Sequence, residues 1–456
     1  MGDKRRRDSS PPEGTCPFMG RRGFLAAAGG LAAASLGGVV EAPAAQAVPA
    51  PIRSRSEPFW GSHQGGILTP QQDHTYFATF DIVSPKLADV AQMMQAWTEA
   101  AARMCAGDTA VALGSDPSQP PKDSGETIGL APARLTITFG FGPGLFAVDG
   151  EDRFGLTARR PASLVDLPRF NGDQLRPERT GGDISVQACA DDPQVVFHAI
   201  RQLARIGNGV VQLRWVQTGF SRGSAAKGTA RNLMGFKDGT SNPDTHDPAA
   251  MNHFVWAGSE GPGWMSGGSY MVVRRIRITL EHWDKMEQGF QEQVVGRQKM
   301  SGAPLGQHGE FEAADFNAVD SDGNPVIPQT AHVRLASGVT NDGRRMLRRG
   351  YSYNDGANFF VERWPPWRQS LEYDAGLLFV AYQKDPREAF IPVFRKMAAM
   401  DAMNQFTTHM GSGIFACPPG VRQGSYIGQA LFEGAHQTRF FPVNGSAATE
   451  AKPATY

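Results

Sequence analysis

Apolar and polar positions along this 456-residue chain fall into two periods, and they do so twice in the same order. Tyr76-Phe77-Ala78-Thr79-Phe80-Asp81-Ile82-Val83 predicts a strand, and Leu87 to Cys105 sets apolar residues at helical spacing with Met93, Met94 and Trp97 on one side. Arg134 to Phe139 predicts a further strand, Val195 to Ile206 a second helix, and Gly209 to Trp215 a third strand. The later half repeats the order: Ser269 to Leu280 as strand, Glu281 to Arg297 as helix, Gly376 to Gln383 as strand, Arg387 to Met400 as helix. The repetition is one of pattern, not of residues. It predicts an α+β protein of two ferredoxin-like units packed side by side, like a dimeric α/β barrel within one chain. Gly- and Pro-rich loops interrupt the second unit at Gly258 to Gly268 and Gly302 to Gln329. Loops of that length in a compact domain are commonly functional.

Composition narrows the picture. Hydrophobic residues make up 41%, enough for two cores, while Lys+Arg and Asp+Glu balance at 45 each. That balance gives no electrostatic reason to expect nucleic acid or an anionic membrane as partner. The N-terminus departs from the rest. Lys4 to Arg7 is basic, Arg21-Arg22 precedes Gly23-Phe24-Leu25, Ala26 to Val40 is a run of small apolar residues, and Ala45-Gln46-Ala47 follows. Residues 1–47 therefore read as a twin-arginine export signal with an A-x-A cleavage site, and the Ala/Gly-rich run is too short for a stable membrane span. The expected divisions are a linker or surface arm at 48–67, an N-terminal ferredoxin-like domain at 68–220, a C-terminal one at 221–440 and a tail at 441–456. The expected location is periplasmic or extracellular. Cleavage removes Cys16 and leaves Cys105, Cys189 and Cys417. These are too few and too widely spaced for a disulfide framework, and no Cys-x-x-Cys-His occurs for covalent haem attachment.

Three residues carry candidate chemistry. Asp238 lies in Gly235-Phe236-Lys237-Asp238-Gly239-Thr240-Ser241-Asn242-Pro243; His332 follows 94 positions later, and Arg348 16 after that. A histidine in Ala331-His332-Val333-Arg334-Leu335, where alternation suggests a strand or its end, can ligate iron through one ring nitrogen and donate the other N–H. A carboxylate on the opposite face can move the proton of bound peroxide, and a guanidinium can stabilise charge on the departing oxygen. Each has a plainer reading: a core or surface histidine, an Asp-Gly turn, and, with Arg349, a solvated basic face.

Taken together, the Gly235 to Pro243 motif, Val295-Gly296-Arg297-Gln298-Lys299 with Gly302-Ala303-Pro304-Leu305, Ala331 to Leu335, Met346 to Tyr353 and Gly376-Leu377-Leu378-Phe379-Val380 resemble the dye-decolourising peroxidase family. The similarity runs from about residue 70 to 440 and, with the export signal, is nearest the exported deferrochelatase/peroxidase branch. The resemblance implies non-covalent haem b, His332 as proximal iron ligand, Asp238 as distal acid/base and Arg348 as distal charge stabiliser. It implies haem contacts at Gly239, Thr240, Ser241, Ser337, Gly338 and Val339, and apolar walls at Leu377 and Phe379.

Two departures stand out. Leu335-Ala336-Ser337-Gly338-Val339 replaces the branch's Leu-Ala-Asn-Pro-Arg, and Gln405 falls where relatives carry an acidic partner of the proximal histidine, with Asp401 as the alternative. Trp364, Trp367, Tyr351 and Tyr353 are either structural or relays for bulky substrates. The expected partners are hydrogen peroxide and a small aromatic, dye-like or metal-ion reductant; iron-uptake components and a homo-oligomer are further expectations. An envelope haem-iron acquisition protein is the alternative reading, and a chlorite-converting enzyme on a related fold fits less well because it gives Asp238 no role.

Overall fold

Each half of the repeat builds one four-stranded antiparallel sheet. The computed structural model describes residues 55–222, 228–361 and 369–433. The first half runs β1 (His74–Ile82), α1 (Leu87–Ala106), β2 (Thr136–Phe141), β3 (Ile184–Ala190), α2 (Pro193–Ile206) and β4 (Val211–Phe220), with strands in the order β2-β3-β1-β4. The second runs β5 (Ser269–Ile278), α3 (Gln288–Val295), α4 (His332–Ala336), β6 (Tyr351–Val361), β7 (Gln369–Gln383), α5 (Phe390–Met400) and β8 (Thr407–Cys417), ordered β8-β5-β7-β6. Both are the ferredoxin-like order. The sheets meet edge to edge through two single bridge pairs, Phe220↔Ser352 and Ala416↔Phe141, closing a ring of eight strands. At the second seam, residues of the 174–181 segment add backbone bonds from Gln174, Arg176 and Gly181 to His409, Met410 and Ser412.

Side chains alternate across that ring, as the two-residue period of a strand requires. Phe77, Trp215, Met271, Val273, Leu378, Val380, Tyr382 and Phe415 fill its interior. Their neighbours Ala78, Phe80, Val186, Val272 and Ile414 point out into a second core beneath α1 and α2. Helix α1 buries Met93, Met94 and Trp97, as its spacing predicts, and ends at Gly107, whose φ of 96° is the left-handed stop that glycine tolerates. The Trp97 indole donates to the Leu203 carbonyl at 2.8 Å, joining α1 to α2.

Three strands escape the sequence pattern for different reasons. All seven residues of β3 are buried, because it lies between barrel interior and helix layer, so its polar and apolar positions do not alternate legibly. Strand β6 contains Asn354-Asp355-Gly356, which reads as a turn, and β8 begins Thr407-Thr408-His409. The single helix expected over 281–297 is instead two short ones, Leu280–Trp283 and α3. The Gln291 amide sits in the break, donating to the carbonyls of Trp283 (2.9 Å) and Met286 (3.2 Å) that continuous helix would have used. His332 begins helix α4 and is not on a strand.

Candidate functional site

Against the outward face of β5 and β7 a cavity of about 530 Å³ opens. Arg274, Ile276, Ile278, Leu377 and Phe379 form its floor, α5 contributes Phe390, Val393 and Phe394, and α4 contributes His332 and Val333. The size falls within the ~300–1,000 Å³ of ligand-binding clefts. Asp238, Gly239, Thr240, Ser241, Ser337, Gly338, Val339 and Arg348 also line it, so every site residue expected from the sequence comes to one cavity.

His332 is fixed from behind. Its Nδ1 lies 2.7 Å from Asp401 Oδ2, and the other Asp401 oxygen accepts the Met403 N–H at 2.9 Å. Asp401 is reached because α5 stops at Met400, which puts the carboxylate at the helix end facing α4. Gln405 does not serve: its amide turns to the Ala402 carbonyl at 3.3 Å. With Nδ1–H donated to a carboxylate, Nε2 keeps the lone pair that a metal needs. Burial opposes a charge on this imidazole, but the charge and hydrogen bond of Asp401, aided by Asp238, outweigh it and raise the pKa above the ordinary 6.5. A metal ligated at Nε2 has to compete with that proton. Gly296, at a φ of 88°, lets α4 pack close, because a Cβ there would meet Val333 at 2.4 Å.

Asp238 and Arg348 come together from distant segments, with Arg348 Nη1 donating to Asp238 Oδ1 at 3.3 Å. Both side chains remain partly accessible, Asp238 at 34% and Arg348 at 27%, so the pair adds little stability and stays available to a ligand. Its geometry is set by the backbone. The Asp238 N–H donates to the Ala230 carbonyl at 3.0 Å. The Asn242 side chain then grips the Arg348 main chain from both sides, accepting its N–H at 3.1 Å and donating to its carbonyl at 2.7 Å. Lys237 pairs with Glu310 at 2.8 Å, and Glu310 also accepts the Thr229 N–H at 2.9 Å, which ties the 302–329 loop to the Asp238 turn.

Sequence reasoning gave no role to several of these groups. Asn242 sat inside a quoted motif without a function. Arg345 reaches the cavity, and among the described residues no carboxylate pairs with it; Gly338 makes room, since a Cβ there would lie 3.1 Å from its Nε. Arg274 is buried and ion-paired with Asp173, and its Nε donates to His409 Nδ1 at 3.2 Å. Burial, and then Arg274, hold His409 neutral, well below its ordinary pKa. The only hint was an Arg-Arg pair inside an apolar strand. Tyr351 and Tyr353 are fully buried and are not surface aromatics; Trp364 and Trp367 lie outside the described residues.

The residues fit an iron porphyrin. The cavity offers an oriented imidazole lone pair, apolar walls for a macrocycle and an unpaired guanidinium at Arg345 for a carboxylate substituent.

Comparison with known proteins agrees with this geometry. Residues 64–221 match the model of the Dyp-type peroxidase N-terminal domain, and 229–422 that of the C-terminal domain. The dye-decolorizing peroxidase of Thermobifida fusca (strain YX) is 38% identical over 450 residues, covering 91% of this chain and 97% of that one. The deferrochelatase of Escherichia coli (strain K12) is 36% identical over 425 residues, with 90% and 96% covered. Ferric DtpA from Streptomyces lividans superposes with a TM-score of 0.75 at 38% identity, over 84% of this chain and 98% of that one. Sheet order, cavity and relatives converge: this chain belongs to the Dyp-type peroxidase family.

Proposed function

We propose that this chain is a haem b peroxidase in which His332 holds the iron, Asp238 moves protons and Arg348 stabilises developing negative charge. The observation that carries the reading is one cavity lined both by an imidazole backed by a buried carboxylate and by an Asp–Arg pair. Haem, when bound, supplies the two-electron oxidation by peroxide and the one-electron steps that return it to rest. The Asp238 carboxylate accepts the proton of entering peroxide and returns it to the leaving oxygen, which departs as water. The Arg348 guanidinium would stabilise that oxygen as charge builds. Asp401 keeps the imidazole in the tautomer that presents Nε2, and a carboxylate behind the ring makes it a stronger donor to iron. Leu377 and Phe379 would narrow the access to small molecules, and Arg345, Ser337 and Gly338 would hold the polar edge of a bound haem.

The test is an absorption spectrum of the purified protein with peroxide-dependent dye oxidation, set beside His332→Ala. The wild type is expected to show a haem Soret band and turnover, and the variant to lose that band or show it shifted by the missing histidine ligand, with activity reduced by orders of magnitude. Unchanged activity in the variant would sink the assignment.

The deferrochelatase relatives support a second reading, removal of iron from haem with the porphyrin left intact. Analysis of the pigment after turnover separates the two: metal-free porphyrin supports the second, and unaltered haem counts against it. We further propose that residues 1–47 are a twin-arginine signal and that the protein acts in the periplasm or outside the cell. Arg21-Arg22 and Ala45-Gln46-Ala47 support this, and among the described residues no helix is long and apolar enough to cross a membrane.

A further inference from the structure

A buried histidine in the first half stands between two acids, far in sequence from every residue of the cavity. His198, on α2, is 2% exposed. Its Nε2 lies 3.4 Å from Asp123 Oδ2 and its Nδ1 3.5 Å from Glu126 Oε2, yet neither ring nitrogen has a hydrogen-bond partner. The Asp123 carboxylate is enclosed and held in place by the N–H groups of Ala110 and Gly125, each at 2.8 Å. Glu126 is 17% exposed, accepts the Ser124 hydroxyl and pairs with Arg201 at 3.3 Å. One donor atom from each of the three residues lies within 4.8 Å of the other two, the one such group of three among the described residues.

A neutral imidazole carries one N–H and one lone pair, so carboxylates on both sides leave the lone pair facing an anion. A cation on that nitrogen relieves the conflict, and two cations can do so. A proton would draw the oxygens to ~2.7–2.9 Å as charge-assisted hydrogen bonds. Either distance, 3.4 Å at Nε2 or 3.5 Å at Nδ1, is instead the spacing of two neighbouring ligands around one ion, and the third residue's donor atom lies within 4.8 Å of that pair. Bonds of ~2.0–2.2 Å to a tetrahedral divalent metal give ligand-to-ligand edges of roughly 3.3–3.6 Å. Burial also works against the imidazolium and lowers the His198 pKa, against the pull of Glu126 and Asp123.

We propose that Asp123, Glu126 and His198 form a site for one divalent transition cation of the Zn²⁺ class, separate from the peroxidase cavity. One ring nitrogen and an oxygen of each carboxylate ligate it, and the second ring nitrogen keeps its proton. The ligands join the irregular segment between α1 and β2 to helix α2, where the other ties are polar: Arg205 to the Pro121 carbonyl at 2.6 Å and Gln194 to the Glu126 carbonyl at 2.5 Å. The site is therefore a structural clamp on the half of the molecule that holds no cavity residue.

The test is a Zn²⁺ titration of the full chain carrying its cofactor, after chelator treatment, read by elemental analysis and by the unfolding midpoint. The expected result is one chelator-removable Zn²⁺ per chain, with a midpoint raised by about 5 °C at a hundredfold excess over Kd. His198→Gln and Asp123→Asn are expected to lose this equivalent, and His332→Ala to keep it. Should the buried variants fail to fold, Glu126→Gln at the accessible edge decides, with an expected weakening of at least tenfold. Absence of saturable Zn²⁺ uptake, or uptake undiminished in Glu126→Gln, overturns the proposal. So does stabilisation that follows pH and ignores metal, the signature of a protonated histidine clamp.

Discussion

The two halves share one strand order and differ in what covers their outer faces. In the first, α1 spans Leu87–Ala106 and α2 Pro193–Ile206, and Trp97 packs against Phe80 and Phe139 at ring separations of 5.3 and 5.9 Å. In the second, the helix after the first strand breaks into Leu280–Trp283 and Gln288–Val295, and loops carry the chain on to His332. The first arrangement makes a core. The second leaves the faces of β5 and β7 as cavity walls, with loops supplying the polar groups around them. A site thus arises on this frame by shortening one helix, and no strand has to change place.

That contrast can be broken by experiment. The largest effect is expected from Asp238→Asn, which keeps shape and removes the proton acceptor: kcat/KM for peroxide should fall by about 10²–10⁴-fold with the haem spectrum retained. A fall below tenfold would remove Asp238 from the chemistry. Trp97→Ala is expected to cost about 3–5 kcal/mol in denaturant unfolding by opening the first core, while the folded fraction keeps its haem spectrum. Loss of that spectrum in folded protein would show that the halves are not separate in role.

Asp401→Asn should weaken haem retention about 10–100-fold, followed by transfer to an acceptor haem protein. It also tests a pH dependence. The raised His332 pKa means that the His332–Asp401 pair stabilises the haem-free protein fully below 6.5, the ordinary histidine value, and that this support is lost as pH rises through the folded value. Haem ligation has the opposite sign and weakens as pH falls. In Asp401→Asn both trends should flatten; an unchanged profile would assign them to another group. The smallest effect is expected from Asn242→Ala, about 1 kcal/mol of stability from two lost hydrogen bonds, with faster amide exchange at Arg348. Protection equal to wild type would mean that the pairing of Leu347 and Arg348 with Tyr382 and Ala381 of β7 alone holds that segment.

What the sequence made legible followed from local pattern and motif. The helices of the first half and the strands β1, β5 and β7 announce themselves because each buries one face or one apolar run. Strand β3 is hidden by burial on both faces, and β6 by an Asn-Asp-Gly that bulges within the sheet without ending it. His332, Asp238 and Arg348 were each ambiguous alone and became a site through motif order. The partner of His332 was not legible, because Asp401 and Gln405 lie within one short turn and only the end of α5 decides which of them faces the ring. Arg345 and Asn242 were beyond reach for a related reason: their roles depend on Gly338 and on the main chain of Arg348, which no local pattern encodes.

Every residue lining the peroxidase cavity lies between 232 and 409, whereas the first sheet is complete by Phe220. A ribosome therefore releases the whole first sheet before any of the cofactor pocket exists. Haem insertion is thereby a late event in the birth of this protein, made after the whole chain of the first sheet has been delivered.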